Sequence, residues 1–293
     1  VLASVILRLV RMDTAYDSRK AREVFPKLMA YHRWFCNARD PQEMGVIGII
    51  HPWESGRDNC PDWRIGMKGI TVPDNLMSYA RRDTRYVNSD QRPTEAQYDR
   101  FITIVQFGPE VKWVHLTINV SGPFLMADLG VQFILIRTCR DLLELTHLHD
   151  MDEPIDEIRG WIDRLTTGCN WLWNDKIGGY CARDIRSEPF SNAITNALML
   201  CFFAGAGSPD QRASMLAHCR QILDTCRYGM PSKDLEHRDF EPKRYWQGPV
   251  WAVTNYMILA GLVNAGESEL ASRISSDTRD LIEAHGMAEY FDP

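Results

Sequence analysis

Hydrophobic positions along the chain recur mostly at three- and four-residue steps, which is the spacing of an amphipathic helix. The clearest example is the segment 124–147, where leucine, isoleucine and phenylalanine recur on one face and arginines and acids lie between them. The pattern predicts helices near residues 18–37, 74–83, 94–107, 124–147, 152–173, 190–205, 208–227, 249–264 and 267–285. Because helix follows helix, we expect an all-α fold.

The connections between these segments carry turn chemistry. Ser208, Pro209 and Asp210 begin one helix, and Gly261 to Gly266 joins two more. Short loops of this kind favour antiparallel helical hairpins. Only the stretch from Lys112 to Val120, with alternating and β-branched residues, predicts a strand. No linker rich in proline, glycine or serine divides the sequence, so we expect a single domain over residues 1–293.

Composition and charge restrict the class of protein. The chain has 293 residues, of which 45% are hydrophobic and 25% charged, as in an ordinary globular protein. Its net charge is −6 without any basic block, which argues against nucleic acid and anionic membranes as partners. No apolar stretch is long enough to span a membrane. We therefore expect a soluble, cytoplasmic protein. Since the sequence does not begin with methionine and ends directly after a motif, we also expect it to be part of a longer protein.

Cysteine and histidine spacing gives no metal signature. The eight cysteines are irregularly spaced without a C-x-x-C pair, which predicts reduced, mostly buried thiols. His147 and His149 are two residues apart, so they cannot share one face of a helix. We expect no structural zinc and no cofactor.

The first candidate motif is the segment 51–63, HPWESGRDNCPDW. It combines indoles, carboxylates and an arginine with turn-forming residues: Trp53, Glu54, Arg57, Asp58, Asn59, Asp62 and Trp63. A sugar pocket needs aromatic faces beside acids, and burial by the rings raises the pKa of a carboxyl towards that of a general acid. The alternative is a loop leading into a helix, in which acids cap backbone amides and Arg57 pairs with an acid.

Two later motifs complete the set. In RYWQGPVWAVTN (244–255), Tyr245, Trp246 and Trp251 could form an aromatic platform, with Gln247 reading a hydroxyl; alternatively Trp251 belongs to the core. In GMAEYFDP (286–293), Glu289 follows a glycine and precedes two aromatic residues. Taken alone, the motif favours a solvated acid at a frayed chain end over a functional one.

In this order, HPWESGRDN, YWQGPVW and GMAEYFDP resemble glycoside hydrolase family 63, in particular its mannosylglycerate and glucosylglycerate hydrolases. The resemblance runs from about Trp34 to the last residue and includes GMPS at 229–232 and LCFFAG at 200–205. It implies an (α/α)6 barrel, here expected to lack helices at both ends, with catalytic groups on loops at one mouth.

The resemblance also implies roles for residues. Asp58 matches the general acid and Glu289 the general base of an inverting mechanism. Trp53, Tyr245 and Trp246 would wall the sugar subsite, and Gln247 stands where the family more often has arginine. Arg92 and Tyr98 match an arginine and a tyrosine that reach the carboxylate of a glycerate leaving group; alternatively Thr94 caps a helix and Arg92 is solvated. The basic run 81–85 could help to bind that carboxylate, but we expect it to be a solvated charged face.

Three hypotheses follow. The first is an inverting hydrolase of glucosylglycerate or mannosylglycerate. The second keeps the acid and base but changes the substrate to neutral oligosaccharides, as in an α-glucosidase or trehalase. The third is a noncatalytic carbohydrate-binding or degenerate helical fragment. The first implies a small glycoside substrate as partner. The sequence leaves open which hexose is released, whether the protein forms a homo-oligomer and whether a metal ion assists.

Overall fold

The computed structural model describes residues 1–12, 18–148 and 154–293. Eleven α-helices dominate these residues. In chain order they are α1 (Leu2–Met12), α2 (Ser18–Ala38), α3 (Arg64–Lys68), α4 (Glu95–Glu110), α5 (His115–Ser121), α6 (Leu129–Leu148), α7 (Ile155–Gly168), α8 (Leu200–Ala204), α9 (Pro209–Thr225), α10 (Ala252–Asn264) and α11 (Ser268–His285).

The helices pack as neighbouring pairs around one large core. Helix α6 contacts α1, α7 and α8, while α10 contacts α8 and α11. Phe133, Ile136 and Leu142 of α6 are fully buried, so the three- and four-residue steps of the sequence do place one face in the core. A second apolar cluster, which includes Trp63 and Phe101, lies apart from this core and beneath the long loops.

Five short strands order the loops. They are β1 (Gly48–Ile49), β2 (Met126–Ala127), β3 (Trp173–Asn174), β4 (Gly179–Tyr180) and β5 (Arg183–Asp184). Strands β1, β2 and β5 form one antiparallel sheet, in which Gly48 pairs with Ala127 and Met126 with Asp184. Strands β3 and β4 form a hairpin. The first sheet fixes the segment before residue 51, from which the first motif begins.

Most of the predicted helices are confirmed to within a few residues. These are the helices predicted near 18–37, 94–107, 124–147, 208–227, 249–264 and 267–285. The helix predicted over 152–173 is found as α7 followed by a 3-10 turn at Cys169–Leu172, and its first two residues lie outside the described residues. Helix α1 and the short α3 were not predicted.

Three predicted elements are wrong. Residues 74–83 form no helix, and residues 190–199 precede α8 as irregular and turn structure. The predicted strand at 112–120 is instead a turn followed by α5. Lys112 and Trp113 adopt positive φ angles, which reverses the chain directly after α4. The β-branched residues that suggested a strand, Ile118 and Val120, therefore lie on a short helix, and Val120 is exposed.

The cysteine prediction is confirmed, because all eight cysteines are buried and unpaired. Of the two histidines considered for zinc, His147 lies in the last turn of α6 and His149 lies outside the described residues. Within the part of the chain that is described, no helix is both long and apolar enough to cross a membrane.

Candidate active site

A cavity of about 190 Å³ joins three segments that are far apart in the sequence. The loop 51–63 contributes to it, as do residues 83–98 and the loop that precedes α10. Its lining consists of Trp53, Asp58, Asp83, Arg92, Pro93, Tyr98 and Tyr245. Five of these residues are site residues that the sequence predicted: Trp53, Asp58, Arg92, Tyr98 and Tyr245. The cavity therefore combines aromatic walls with carboxylates and a guanidinium, as the sugar-pocket hypothesis expects.

The loop that carries Trp53 and Asp58 is bent by its own local hydrogen bonds. His51 caps a 3-10 turn at Pro52–Ser55, since its Nδ1 accepts the Trp53 N–H at 3.0 Å. Its Nε2 faces the Phe101 carbonyl at 3.0 Å. Burial lowers the pKa of His51 to about 4, which keeps the ring neutral with Nε2–H as the donor. Gly56 then ends the turn at φ 71°, and Asp58 follows on the exit from this bend.

Arg57 anchors the loop through two buried ion pairs. Its side chain is buried and donates to Asp62 at 3.0 Å and to Asp128, directly before α6, at 2.7 Å. The Trp63 indole donates to the Arg57 carbonyl at 2.9 Å and is 1% exposed. Neither Arg57 nor Trp63 lines this cavity. Trp63 does line a neighbouring cavity of about 290 Å³, together with Asp58 and Asn59. The alternative in which Arg57 pairs with acids describes its contacts.

Three more of the predicted residues connect loops. Glu54 accepts hydrogen bonds from Arg39 and from the Ile50 N–H. The Asn59 side chain accepts the Trp246 N–H at 3.0 Å, and the Asn59 carbonyl accepts a bond from the Gln247 amide. Asn59 and Gln247 are both 3% exposed. They fasten the first motif to the second one rather than line the cavity.

Of the aromatic platform, only Tyr245 reaches the cavity. Trp246 and Trp251 stack face to face at 3.9 Å, and both are buried in the cluster beneath the loops. The Trp251 indole donates to the Tyr245 carbonyl at 3.0 Å. Tyr245 has φ 44°, a left-handed conformation that is rare outside glycine and recurs at functional loops. The stacked indoles thus hold a strained loop that presents the Tyr245 ring.

Asp58 has the protonation behaviour of an acid catalyst. Burial raises the pKa of Asp58 to about 6, and the carboxylates of Asp83 and Glu289 act in the same direction. The Asp58 backbone N–H and the Arg92 guanidinium act in the opposite direction. A carboxyl that keeps its proton to this pH can donate it under near-neutral conditions.

Glu289 approaches the cavity from the last segment of the chain. Its Oε2 lies 3.2 Å from Nη2 of Arg92, and its side chain is 53% exposed, whereas that of Arg92 is 11% exposed. The Arg92 guanidinium also lies over the Tyr245 ring, 4.4 Å from the centroid. Burial, together with the charges of Asp58 and Glu289, raises the pKa of Tyr245 to about 12, so its hydroxyl remains a hydrogen-bond donor.

Tyr98 is one wall of the cavity and is held from several sides. It lies on α4, whose first turn carries the predicted Thr94 cap together with Gln97. Trp53 meets it edge to face at 5.9 Å, and Tyr79 stacks on it at 5.5 Å. Thr94 does cap the helix, but Arg92 is not solvated as the alternative supposed.

Sequence reasoning missed Asp83. It belongs to the basic run 81–85 that was expected to be a solvated face, yet it lines the cavity. Arg81 lies over the Tyr98 ring at 4.5 Å and bonds both oxygens of Asp83, at 3.1 and 2.5 Å. The sequence feature that could have indicated Asp83 is a single acid within a run of arginines, close to Tyr79.

In the described part of the chain, no group of three or more histidine, cysteine, aspartate or glutamate side chains is arranged to hold a metal ion. The residues of the cavity are a pair of acids, an arginine and aromatic rings. Such a set can bind a sugar and exchange protons with it directly.

Comparison with known proteins identifies relatives over the full chain. Residues 1–293 match the mannosylglycerate hydrolase MGH1-like glycoside hydrolase domain. A mannosylglycerate hydrolase from Thermus thermophilus is 39% identical over 298 residues, covering 100% of this chain and 70% of that protein. Mannosylglycerate hydrolase MGH1 from Selaginella moellendorffii is 36% identical over 96% of this chain and 57% of its own length. The chain thus spans little more than half the length of the Selaginella relative.

A solved structure gives the fold. The crystal structure of a GH63 mannosylglycerate hydrolase from Thermus thermophilus in complex with Tris superposes with a TM-score of 0.95 and 36% identity, over 99% of this chain and 70% of that one. Together with the helical content described above, this confirms the (α/α)6 toroid as the fold class.

Proposed function

Because the chain belongs to the mannosylglycerate hydrolase MGH1-like glycoside hydrolases of family 63, we propose that it hydrolyses mannosylglycerate or glucosylglycerate with inversion. The observation that carries this proposal is the pair of carboxyls at one cavity. Asp58 lines it with a raised pKa, and Glu289, which is not among the lining residues, pairs with the lining residue Arg92.

In the proposed reaction, Asp58 donates its proton to the glycosidic oxygen as the bond from that oxygen to the anomeric carbon breaks. A water molecule attacks the anomeric carbon from the opposite face, and Glu289 accepts a proton from that water. A new carbon–oxygen bond forms as the old one breaks, so the anomeric configuration inverts. This geometry requires roughly 6.5–9.5 Å between the two carboxyls, which leaves room for the water.

The remaining lining residues fit the parts of the substrate. Trp53 and Tyr245 offer aromatic faces to the C–H face of the hexose. The Arg92 guanidinium would bind the glycerate carboxylate, and the Tyr98 hydroxyl would donate to the same group. The other predicted binding residues would act indirectly. One group would support the loops from beneath: Arg57, Trp63, Trp246 and Trp251. A second group would connect the loops through hydrogen bonds: Glu54, Asn59 and Gln247.

The test follows the first-formed anomer by proton NMR during hydrolysis of the α-linked substrates. We expect the β-anomer to appear first. Asp58→Asn and Glu289→Gln should each lower kcat by about 10²–10⁴-fold, because each removes one proton-transfer group, while circular dichroism and melting stay close to the wild type. Release of the α-anomer first, or a variant with undiminished activity, would refute the assignment.

Hydrolysis of neutral α-glycosides, the second hypothesis, would use the same acid and base. The cavity favours a charged substrate instead. The Arg92 side chain is only 11% exposed, and its guanidinium would contribute little to the binding of a neutral leaving sugar. Activity on trehalose or maltose that exceeds activity on both glycerate substrates would favour the neutral alternative.

A further inference from the structure

The Arg92 guanidinium contacts two other groups of the site. Its Nη2 contacts the Glu289 carboxylate at 3.2 Å, while the flat face of the guanidinium lies over Tyr245. Its Nε is buried without a hydrogen-bond partner. The guanidinium therefore still has donor capacity directed at a further acceptor.

Glu289 depends on this one contact. Among the described residues, Arg92 is its only ion-pair partner, since the neighbouring Asp292 pairs with Lys243. The Arg92 guanidinium engages Glu289 Oε2 at 3.2 Å in a charge-assisted hydrogen bond. In the free protein, this oxygen is therefore occupied by Arg92 and is not available to an attacking water.

Among the described residues that line the cavity, Arg92 is the only cation. Arg81 lies over the Tyr98 ring, but Asp83 already occupies two of its N–H groups, at 3.1 and 2.5 Å. Arg92, in contrast, makes one ion pair, at 3.2 Å, and its partner Glu289 is a half-exposed carboxylate. A charged aglycone is therefore accommodated with the smallest loss of protein contacts if its carboxylate replaces that of Glu289 on Arg92.

We propose that the carboxylate of the substrate displaces Glu289 from Arg92 and thereby frees Glu289 to act as the base. The inference rests on the proposed function and adds to it that the charge of the leaving group activates the enzyme. A neutral leaving group cannot make the exchange. Discrimination against neutral glycosides should then appear in kcat as well as in KM.

The test compares two substrates that differ only in this charge. One is 2-O-α-glucosylglycerate, and the other is 2-O-α-glucosylglycerol, in which a hydroxymethyl group replaces the carboxylate; the mannosyl pair is measured in the same way. Wild type and Arg92→Gln are assayed at pH 5. Asp58 is already protonated at this pH, so a gain in rate cannot come from the acid.

For wild type, we expect a higher kcat and a lower KM with the charged substrate. Arg92→Gln should raise KM severalfold for the charged substrate, because the carboxylate loses its partner. The same change should raise kcat severalfold for the neutral one, because Glu289 is no longer ion-paired. A purely structural role of Arg92 would lower kcat for both substrates, and that result would overturn the inference.

Lys243→Gln is the matched control, since it removes a cation that pairs with Asp292 in the same final segment and makes no ion pair with Glu289. We expect kcat for the neutral substrate to stay at the wild-type value in this variant. An equal gain in Lys243→Gln would show a general charge effect and would also overturn the exchange. Absence of neutral turnover in all variants would overturn it as well. If wild type hydrolyses neither charged substrate, the proposed function itself fails, and the two failures are thereby distinguished.

Discussion

At the scale of single residues, the cavity surrounds one half-buried acid with charges of both signs. Burial is the largest cause of the raised pKa of Asp58, and Asp83 adds a second negative charge near it. Asp83 makes its ion pair with Arg81, so its position is fixed by a residue that lies on the Tyr98 ring. Asp83 therefore helps to keep Asp58 protonated.

Replacing Asp83 with asparagine tests this role. Removal of the negative charge should lower the pKa of Asp58 from its value of about 6, and Arg81, left unpaired, would act in the same direction. Because Asp58 must be protonated to act, the basic limb of the kcat/KM profile should move to lower pH, by about half a unit. Asp280→Asn, which removes the same charge from the exposed surface of α11, should leave the limb in place. An unmoved limb in Asp83→Asn would show that Asp83 does not affect the acid.

At the scale of secondary structure elements, the sequence predicted the helices that follow from local periodicity. It did not predict the conformation of segments that is set by contacts with distant parts of the chain. The longer helices have one apolar face, which is visible in the sequence. Residues 74–83 look helical, yet Tyr79 donates to Asp99 of α4 at 2.5 Å and Arg81 lies on Tyr98, so the segment follows α4 instead. Similarly, Thr195 pairs with Lys233, and this bridge keeps the segment before α8 out of a helix.

Two glycines within helices show how helix propensity and tertiary packing can act in opposite directions. Gly261 lies inside α10, where an added Cβ would be 2.3 Å from the Phe203 backbone nitrogen of α8. Gly160 lies inside α7 with nothing within 4 Å of such a Cβ. Helix propensity alone favours alanine at both positions, by up to about 1 kcal/mol.

We expect Gly160→Ala to raise the free energy of unfolding by about 0.5–1 kcal/mol. Gly261→Ala should lower it by about 2 kcal/mol or more, because the backbones of α8 and α10 must separate. Urea unfolding monitored by circular dichroism measures both changes. Equal stabilisation of the two variants would mean that α8 and α10 do not pack as closely as the structure places them.

At the scale of the whole molecule, the fold brings together acids separated by 289 − 58 = 231 residues. The sequence motifs predicted that Asp58 and Glu289 belong to one site, since the resemblance assigned both roles. They left open whether Arg57 and Trp251 line the site or support it, and they did not show that Trp246 stacks on Trp251 beneath the cavity. In the sequence, an indole that lines a pocket and one that supports it look the same, and only the tertiary packing distinguishes them.

The position of Glu289 depends on how the final segment is fastened. Phe291 and Val250 exchange two backbone hydrogen bonds of 2.9 Å, and the Phe291 ring packs with Val250 and with Leu281 of α11. Both Phe291 and Leu281 are buried, so removing either side chain leaves a comparable cavity. Only Phe291, however, belongs to the segment that carries Glu289.

Phe291→Ala and Leu281→Ala should therefore separate stability from placement of the base. Each variant should lower the free energy of unfolding by about 3 kcal/mol, through lost burial and the cavity left behind. Phe291→Ala should also lower kcat by about tenfold or more, because Glu289, the proposed base, shifts relative to the water that it is proposed to activate. Leu281→Ala should keep kcat within about twofold of wild type when both are assayed well below their melting temperatures. If the two variants lose kcat equally, the segment 287–293 does not position the base independently of α11, and the loss reflects stability alone.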